Sequence, residues 1–88
     1  MITLERWKIL SLREQLGHIT AEIKRAKLIK SKDENLYLQI LERIFYLIGL
    51  SLNDSKWQKN PLPLLVLQNE IAKAYLGKED LEEIEKAL

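Results

Sequence analysis

The sequence predicts an all-α fold, either a three- to four-helix antiparallel bundle or an elongated helical hairpin. Leu and Ile supply 28 of the 88 residues, whereas glycine and proline together supply five. This composition favours helices over a β fold with many turns. Apolar residues recur at helical spacing, and helix-start signals precede them. We therefore expect one domain over residues 1–88, with helices at about 4–30, 32–52, 61–76 and 81–88.

Composition and charge exclude several classes of protein. The 14 basic and 13 acidic residues nearly balance, so no global field attracts nucleic acid or an anionic membrane. Cysteine is absent and the chain has one histidine, so we predict no disulfide, no metal site and no cofactor. The longest uncharged stretches, 44–53 and 60–69, are well below the ~20 residues of a membrane-spanning helix. We expect a cytoplasmic protein.

The first helix is predicted to be long and continuous. Thr3 is a suitable N-cap, because its hydroxyl can accept a free backbone N–H. Gly17 weakens the helix interior, and a kink there is the alternative. At ~1.5 Å per residue a helix over 4–30 is about 40 Å long and overhangs a compact globule, which favours pairing with a second copy. Its apolar seam alternates at heptad spacing through Ile2, Ile9, Leu12, Leu16, Ile19, Ile23 and Ala26.

Short polar motifs bound the remaining helices. Gly77 is expected to cap the third helix in a left-handed conformation. A helix start is predicted where a capping residue is followed by glutamate three positions later or by proline at the next position. These pairs are Ser31 with Glu34, Asn60 with Pro61, and Asp80 with Glu83.

The second helix carries the main functional expectation. Twelve of the seventeen residues from 36 to 52 are apolar or aromatic, so the helix must be covered on most sides. The other helices offer narrow apolar faces, so we expect a homodimer, with a monomer kinked at Gly17 as the alternative. The first hypothesis is a small helical protein–protein interaction or oligomerisation module. Its predicted interface comprises Leu36, Ile40, Ile44, Leu47 and Ile48.

A nucleic-acid-binding accessory protein is the alternative. Basic residues crowd the end of the first helix and could hold a phosphate backbone, with Trp57 as a stacking platform for bases. The ordinary explanation is that cations complement a helix C-terminus. The basic residues are Lys24, Arg25, Lys27, Lys30 and Lys32.

Arg13 and His18 form an Arg-x4-His pattern that is similar to the ribonuclease motif of HEPN-domain proteins. The resemblance covers six residues and implies an all-α dimer that cleaves RNA where the two side chains converge. Five positions on a regular helix correspond to about 140°, so Arg13 and His18 are expected to diverge. A HEPN-like ribonuclease is therefore the second alternative, and we expect that the protein is not an enzyme.

Overall fold

A computed structural model describes residues 1–77 and contains four α-helices in this range, with no strand. The helices are α1 (Leu4–Ile9), α2 (Leu12–Ile29), α3 (Glu34–Leu52) and α4 (Leu62–Tyr75), and a 3-10 turn, Ser55–Trp57, precedes α4. The helices pack against one another, which confirms the all-α prediction. The helix expected at 81–88 and its predicted cap lie outside the described residues.

The predicted first helix is two helices, and the break lies at Leu10 and Ser11. Leu10 is extended, and the Ser11 hydroxyl accepts a hydrogen bond from the Glu14 amide at 3.1 Å. The Glu14 carboxylate in turn accepts from the Ser11 amide at 3.0 Å. This capping box satisfies backbone donors that a continuous helix would bond elsewhere, so it starts a new helix. The continuous helix over 4–30 was wrong, and α2 continues through Gly17, where the kink was the alternative.

The break removes the length argument for a second copy. α2 has 18 residues and is about 27 Å long at 1.5 Å per residue, well short of the predicted first helix. The radius of gyration is 12.6 Å, close to the roughly 12 Å expected for a compact chain of this size. The fold is the compact bundle and not the elongated hairpin.

The starts of α3 and α4 each lie slightly later than predicted. The amides of Lys32 and Asp33 both donate to the Ile29 carbonyl at 2.9 Å, so residues 30–32 close the end of α2. Asp33, and not Ser31, then caps α3 by accepting from the Leu36 amide at 3.1 Å.

At α4 the cap position is Pro61, one residue after the predicted Asn60. Thr3 caps α1 by accepting from the Arg6 amide, as predicted. Gly77 has a φ of 76°, which confirms the left-handed conformation predicted after α4.

α3 lies at the centre of the bundle and contacts α1, α2, α4 and the 3-10 turn. Gln15, near the start of α2, contacts Asp54 just beyond the end of α3, whereas Glu22, further along α2, contacts Arg43 within α3. The two helices are therefore antiparallel. The expectation that α3 is covered on most sides is confirmed, and residues of the same chain cover it. The buried apolar side chains are Trp7, Ile19, Ile23, Ala26, Tyr37, Ile40, Leu41, Ile44, Leu47, Ile48, Trp57, Leu64, Leu67, Ile71 and Ala74.

Replacing Ser11 with Ala tests where α2 begins. We expect the free energy of unfolding to fall by about 1 kcal/mol, because the Glu14 amide loses its capping acceptor. Ser31→Ala is the matched control, since the first turn of α3 is capped by Asp33 and not by Ser31. Urea denaturation of both variants measures the difference. Equal loss in the two variants, or a loss only at Ser31, would contradict this placement of the caps.

Candidate interaction surface

The residues predicted to form a partner interface lie mainly in the core of a single chain. Ile40, Ile44 and Ile48 are 0% exposed and Leu47 is buried, whereas Leu36 is half-buried. A side chain with no accessible surface cannot contact a partner unless the bundle opens. The assignment of these four buried residues to an interface was therefore wrong, because the short α1, the 3-10 turn and α4 cover α3 where a second copy was expected.

The basic end of α2 is partly engaged within the chain. The Arg25 guanidinium lies 3.9 Å from the Glu22 carboxylate, and the same carboxylate lies 3.6 Å from Arg43. The Lys30 ammonium lies over the Tyr37 ring, 5.8 Å from its centroid. Lys27 also has an interaction partner. These contacts favour the explanation that the basic residues complement the C-terminus of α2 over the explanation that they bind nucleic acid. Lys24 and Lys32 are exposed and complete the set.

Trp57 does not form a stacking platform. Its side chain is 8% exposed, and its indole N–H donates a hydrogen bond of 2.7 Å to the side-chain oxygen Oε1 of Gln15. A ring held in this way presents no open face on which a base could stack. The assignment of Trp57 to a nucleic-acid site was therefore wrong.

Gln15 is the centre of a buried polar network that the sequence did not predict. It is 0% exposed, and its amide nitrogen donates to the Trp7 carbonyl at 2.9 Å and to the Asp54 carboxylate at 2.8 Å. Trp7 extends the network by donating its indole N–H to the Ser51 hydroxyl at 2.9 Å. The network joins α1, α2, α3 and the 3-10 turn at one end of the bundle. Its groups are bonded to one another, so we assign it to stability.

Asp54 is the charged member of this network. Burial raises the pKa of its carboxyl, but hydrogen bonds from Gln15 and from the backbone and side chain of Lys56 lower the pKa by more than burial raises it, so its value is about 2. The Lys56 ammonium lies 2.9 Å from the carboxylate and also donates to the Lys8 carbonyl. The carboxylate is thus ionised and paired at neutral pH, which suits a structural role better than proton transfer.

Arg13 and His18 are not brought together. α2 is a regular helix through both positions, so the side chains leave it about 140° apart. The His18 ring packs against the Trp7 ring with centroids 5.9 Å apart, whereas Arg13 lines the outer face of α2 with Lys24. This geometry does not place Arg13 beside His18.

Five of the ten large exposed apolar side chains within residues 1–77 belong to α4 or its C-cap. α4 buries one seam, Leu64, Leu67, Ile71 and Ala74, against the core. A second seam on the opposite side has the 4-3-4-3 spacing of a helix-packing stripe. We call it the outer seam, and it consists of Leu62, Val66, Asn69, Lys73 and Leu76.

Large apolar side chains of the outer seam are open to solvent. Leu62 is 63% exposed, Val66 is 49% exposed and Leu76 is 66% exposed, and Leu65 beside them is 45% exposed. One charged residue, Lys73, interrupts the seam, and its ammonium lies 3.4 Å from the Glu70 carboxylate. Scattered exposed apolar residues are ordinary, but a helix-spaced series of them is typical of a packing surface.

The described residues offer little else for chemistry. Within residues 1–77, no group of three or more His, Cys, Asp or Glu side chains is placed to hold a metal ion. Over the same range, none of the helices combines the length and apolar character that crossing a membrane requires.

Fold and surface define a four-helix domain of residues 1–77 with a buried polar network and an apolar outer seam. Comparison of the chain with protein-family models, with curated proteins and with solved structures gives no match.

Proposed function

We propose that the protein is a small helical protein–protein interaction module that associates through the outer seam of α4. The observation that carries this proposal is the exposure of Leu62, Val66 and Leu76 at heptad spacing along one helix. Burying such side chains is worth ~25 cal/mol per Å² of apolar surface, so a partner helix gains stability by covering them.

The low charge of this surface supports the same function. Residues 60–69 carry no ionisable side chain, so the first two turns of α4 can be buried without removing a charge from water. By contrast, the depression of about 580 Å³ on the outer face of α2 is bordered by Arg13 and Lys24. A partner covering that face would have to compensate both cations. A cytoplasmic location remains part of the proposal, and fractionation of the producing cells tests it.

Replacing Val66 with Glu tests this function. We expect self-association to weaken at least about tenfold, because the substitution buries an unpaired carboxylate in the contact. Val66 is half exposed and Glu is a better helix former than Val, so the bundle itself should remain folded. Sedimentation equilibrium from about 10 µM to 1 mM, a range suited to weak interfaces, measures the association, and circular dichroism checks the fold.

The matched control is Ala21→Glu, an exposed apolar-to-acidic change on the outer face of α2. It should leave association unchanged. A wild-type protein that sediments as a monomer over the whole concentration range contradicts the proposed function. An equal effect of the two substitutions shows that the outer seam is not the contact.

A further inference from the structure

We propose that residues 78–88, which we call the acidic segment, dock on the first two turns of α3 beside the basic end of α2. These residues lie outside the described part of the chain, and their sequence supplies the chemistry of the occupant. The contact is made within one chain, so it does not depend on the partner of the outer seam.

The first two turns of α3 extend beyond the end of α4. α4 runs back along α3, and its last residue, Tyr75, donates a hydrogen bond of 3.0 Å to Glu42 and packs its ring against Phe45. α3 begins at Glu34, so about 12 Å of it lies past this contact at 1.5 Å per residue. Leu38 precedes Phe45 by seven residues, which places it on the same face of α3, and it is half-buried. The apolar face that α4 covers therefore continues past the end of α4.

Opposite charges lie on the two sides of the proposed contact. The acidic segment has two basic and five acidic side chains, a net charge of −3. Residues 24–34, which close α2 and begin α3, have five basic and two acidic side chains, a net charge of +3. The whole chain is nearly neutral, so this separation of charge is local and attracts the acidic segment to this end of the bundle.

The acidic segment also has an apolar side. Leu81, Ile84 and Leu88 have helical spacing and share one face of the helix expected at 81–88. The receiving surface has the matching character. The Lys30 ammonium lies over the ring of Tyr37, the residue before Leu38, so a cation and a half-buried apolar side chain lie close together there.

The acidic segment is long enough to reach this surface. Gly77 ends α4 in a left-handed conformation, so the chain leaves the axis of α4 at this point. Packed helices lie about 8–10 Å apart, so the axes of α4 and α2, which both pack on α3, are at most about 20 Å apart. Tyr37 precedes Glu42 by five residues, or about 7.5 Å along α3. Eleven extended residues span up to about 36 Å, which is more than these distances require.

The outer seam of α4 attracts the acidic segment less strongly. Its one cation, Lys73, lies 3.4 Å from the Glu70 carboxylate, which neutralises the ammonium and repels further acidic groups. By contrast, Lys24, Lys30 and Lys32 are all exposed at the end of α2. Charge therefore favours the end of α2 and α3 over the outer seam.

Single cysteines locate the acidic segment, because the chain has no cysteine of its own. Ile84→Cys and Lys86→Cys lie about 160° apart on a helix, so docking buries the first thiol and leaves the second open. With iodoacetamide, a neutral reagent, Ile84→Cys should react at least about tenfold more slowly than Lys86→Cys, which corresponds to a docked population of about 90%. Each rate is divided by the rate of the same variant unfolded in urea, which removes differences in intrinsic reactivity.

Two further changes test the place of docking and the role of charge. Adding Leu38→Glu should return the rate of Ile84→Cys to within about twofold of Lys86→Cys, because the substitution sets a carboxylate against the acidic segment. Val66→Glu on the outer seam is the matched control and should leave the slow reaction unchanged. At 1 M sodium chloride, where the Debye length is about 3 Å, the reaction of Ile84→Cys should accelerate at least about threefold relative to Lys86→Cys. Circular dichroism checks each fold, and Leu38→Ala tests the same contact if Leu38→Glu unfolds.

Three results overturn the inference. Equal normalised rates for Ile84→Cys and Lys86→Cys show that the apolar side of the segment is not held. Release of the Ile84→Cys thiol by Val66→Glu, and not by a change at Leu38, places the segment on the outer seam. A rate ratio that salt does not change shows that opposite charge does not hold the segment at the end of α2. The self-association of the wild-type protein and of Val66→Glu is measured separately, so these results leave the proposed function standing.

Discussion

Replacing Gln15 with Met lowers the free energy of unfolding by about 3 kcal/mol, the largest single effect that we expect in this protein. Met has nearly the length of Gln and leaves no large cavity, so the loss comes from hydrogen bonds. The indole N–H of Trp57 loses its acceptor, and the Asp54 carboxylate loses a donor at 2.8 Å. Both groups are buried, and an unpaired buried polar group costs roughly 1–3 kcal/mol.

Urea denaturation of Gln15→Met measures this loss, and Gln39→Met is the matched control. Gln39 is exposed on α3, so the same chemical change should alter stability by less than about 0.5 kcal/mol. Adding Trp57→Phe to Gln15→Met removes the stranded donor, and the double variant should lose less than the sum of the single losses. Equal stability of Gln15→Met and Gln39→Met would show that the network contributes nothing.

The sequence predicted the parts of the fold that depend on local chemistry. Helical periodicity identified an all-α chain, and the high share of apolar residues from 36 to 52 identified the central helix. Thr3 caps the start of α1, and Gly77 has a left-handed conformation after α4, as predicted for these residue types. These signals need no knowledge of the neighbouring helices, because they depend on hydrogen bonds within four residues or on backbone conformation.

The break between α1 and α2 was missed although its signal was present. Ser11 and Glu14 have the spacing of a capping box, but Ile9, Leu12 and Leu16 continued an apparent heptad seam across it. In the structure Ile9 is 81% exposed and Leu12 is 40% exposed, so the predicted seam was wrong at these two positions. Ile2 still packs against the core, and Ile19, Ile23 and Ala26 are buried as the seam predicts.

Gln15 lies one turn before Ile19 and extends the buried stripe of α2 toward the start of the helix. A polar residue at a core position is not predicted by hydrophobic periodicity, because its burial depends on distant partners. Those partners are Trp57, 42 residues away, and Asp54, 39 residues away. At Ser11 the cap signal, and not the apolar pattern, determines where the helix begins.

The candidate surface could be predicted only in part. Helical spacing predicts that Leu64, Leu67, Ile71 and Tyr75 share the face of α4 that covers α3, and the first three are buried in the core whereas Tyr75 is exposed. The outer seam on the opposite side of the helix was not predicted.

Lowering the pH should destabilise the protein through Asp54. The pKa of its carboxyl is about 2 in the folded chain, against an ordinary value of 3.8, because burial, which raises the pKa, is outweighed by hydrogen bonds from Gln15 and Lys56 to the carboxylate. Between these values the unfolded chain binds more protons than the folded one, so stability rises with pH. The contribution is fully present above about pH 5, amounts to about 2 kcal/mol and disappears as the pH falls toward 2.

Asp54→Asn isolates this contribution. The amide carries no charge, and in either orientation its NH2 group faces donors, either the Lys56 backbone N–H or the Gln15 amide and the Lys56 ammonium, so the variant should lose at least about 2 kcal/mol at pH 7. The difference from wild type should shrink as the pH falls from 5 to 2. Asp33→Asn is the matched control, because Asn caps a helix nearly as well as Asp. Urea denaturation across this pH range measures both, and a constant difference for Asp54→Asn would show that Asp54 ionisation does not contribute to stability.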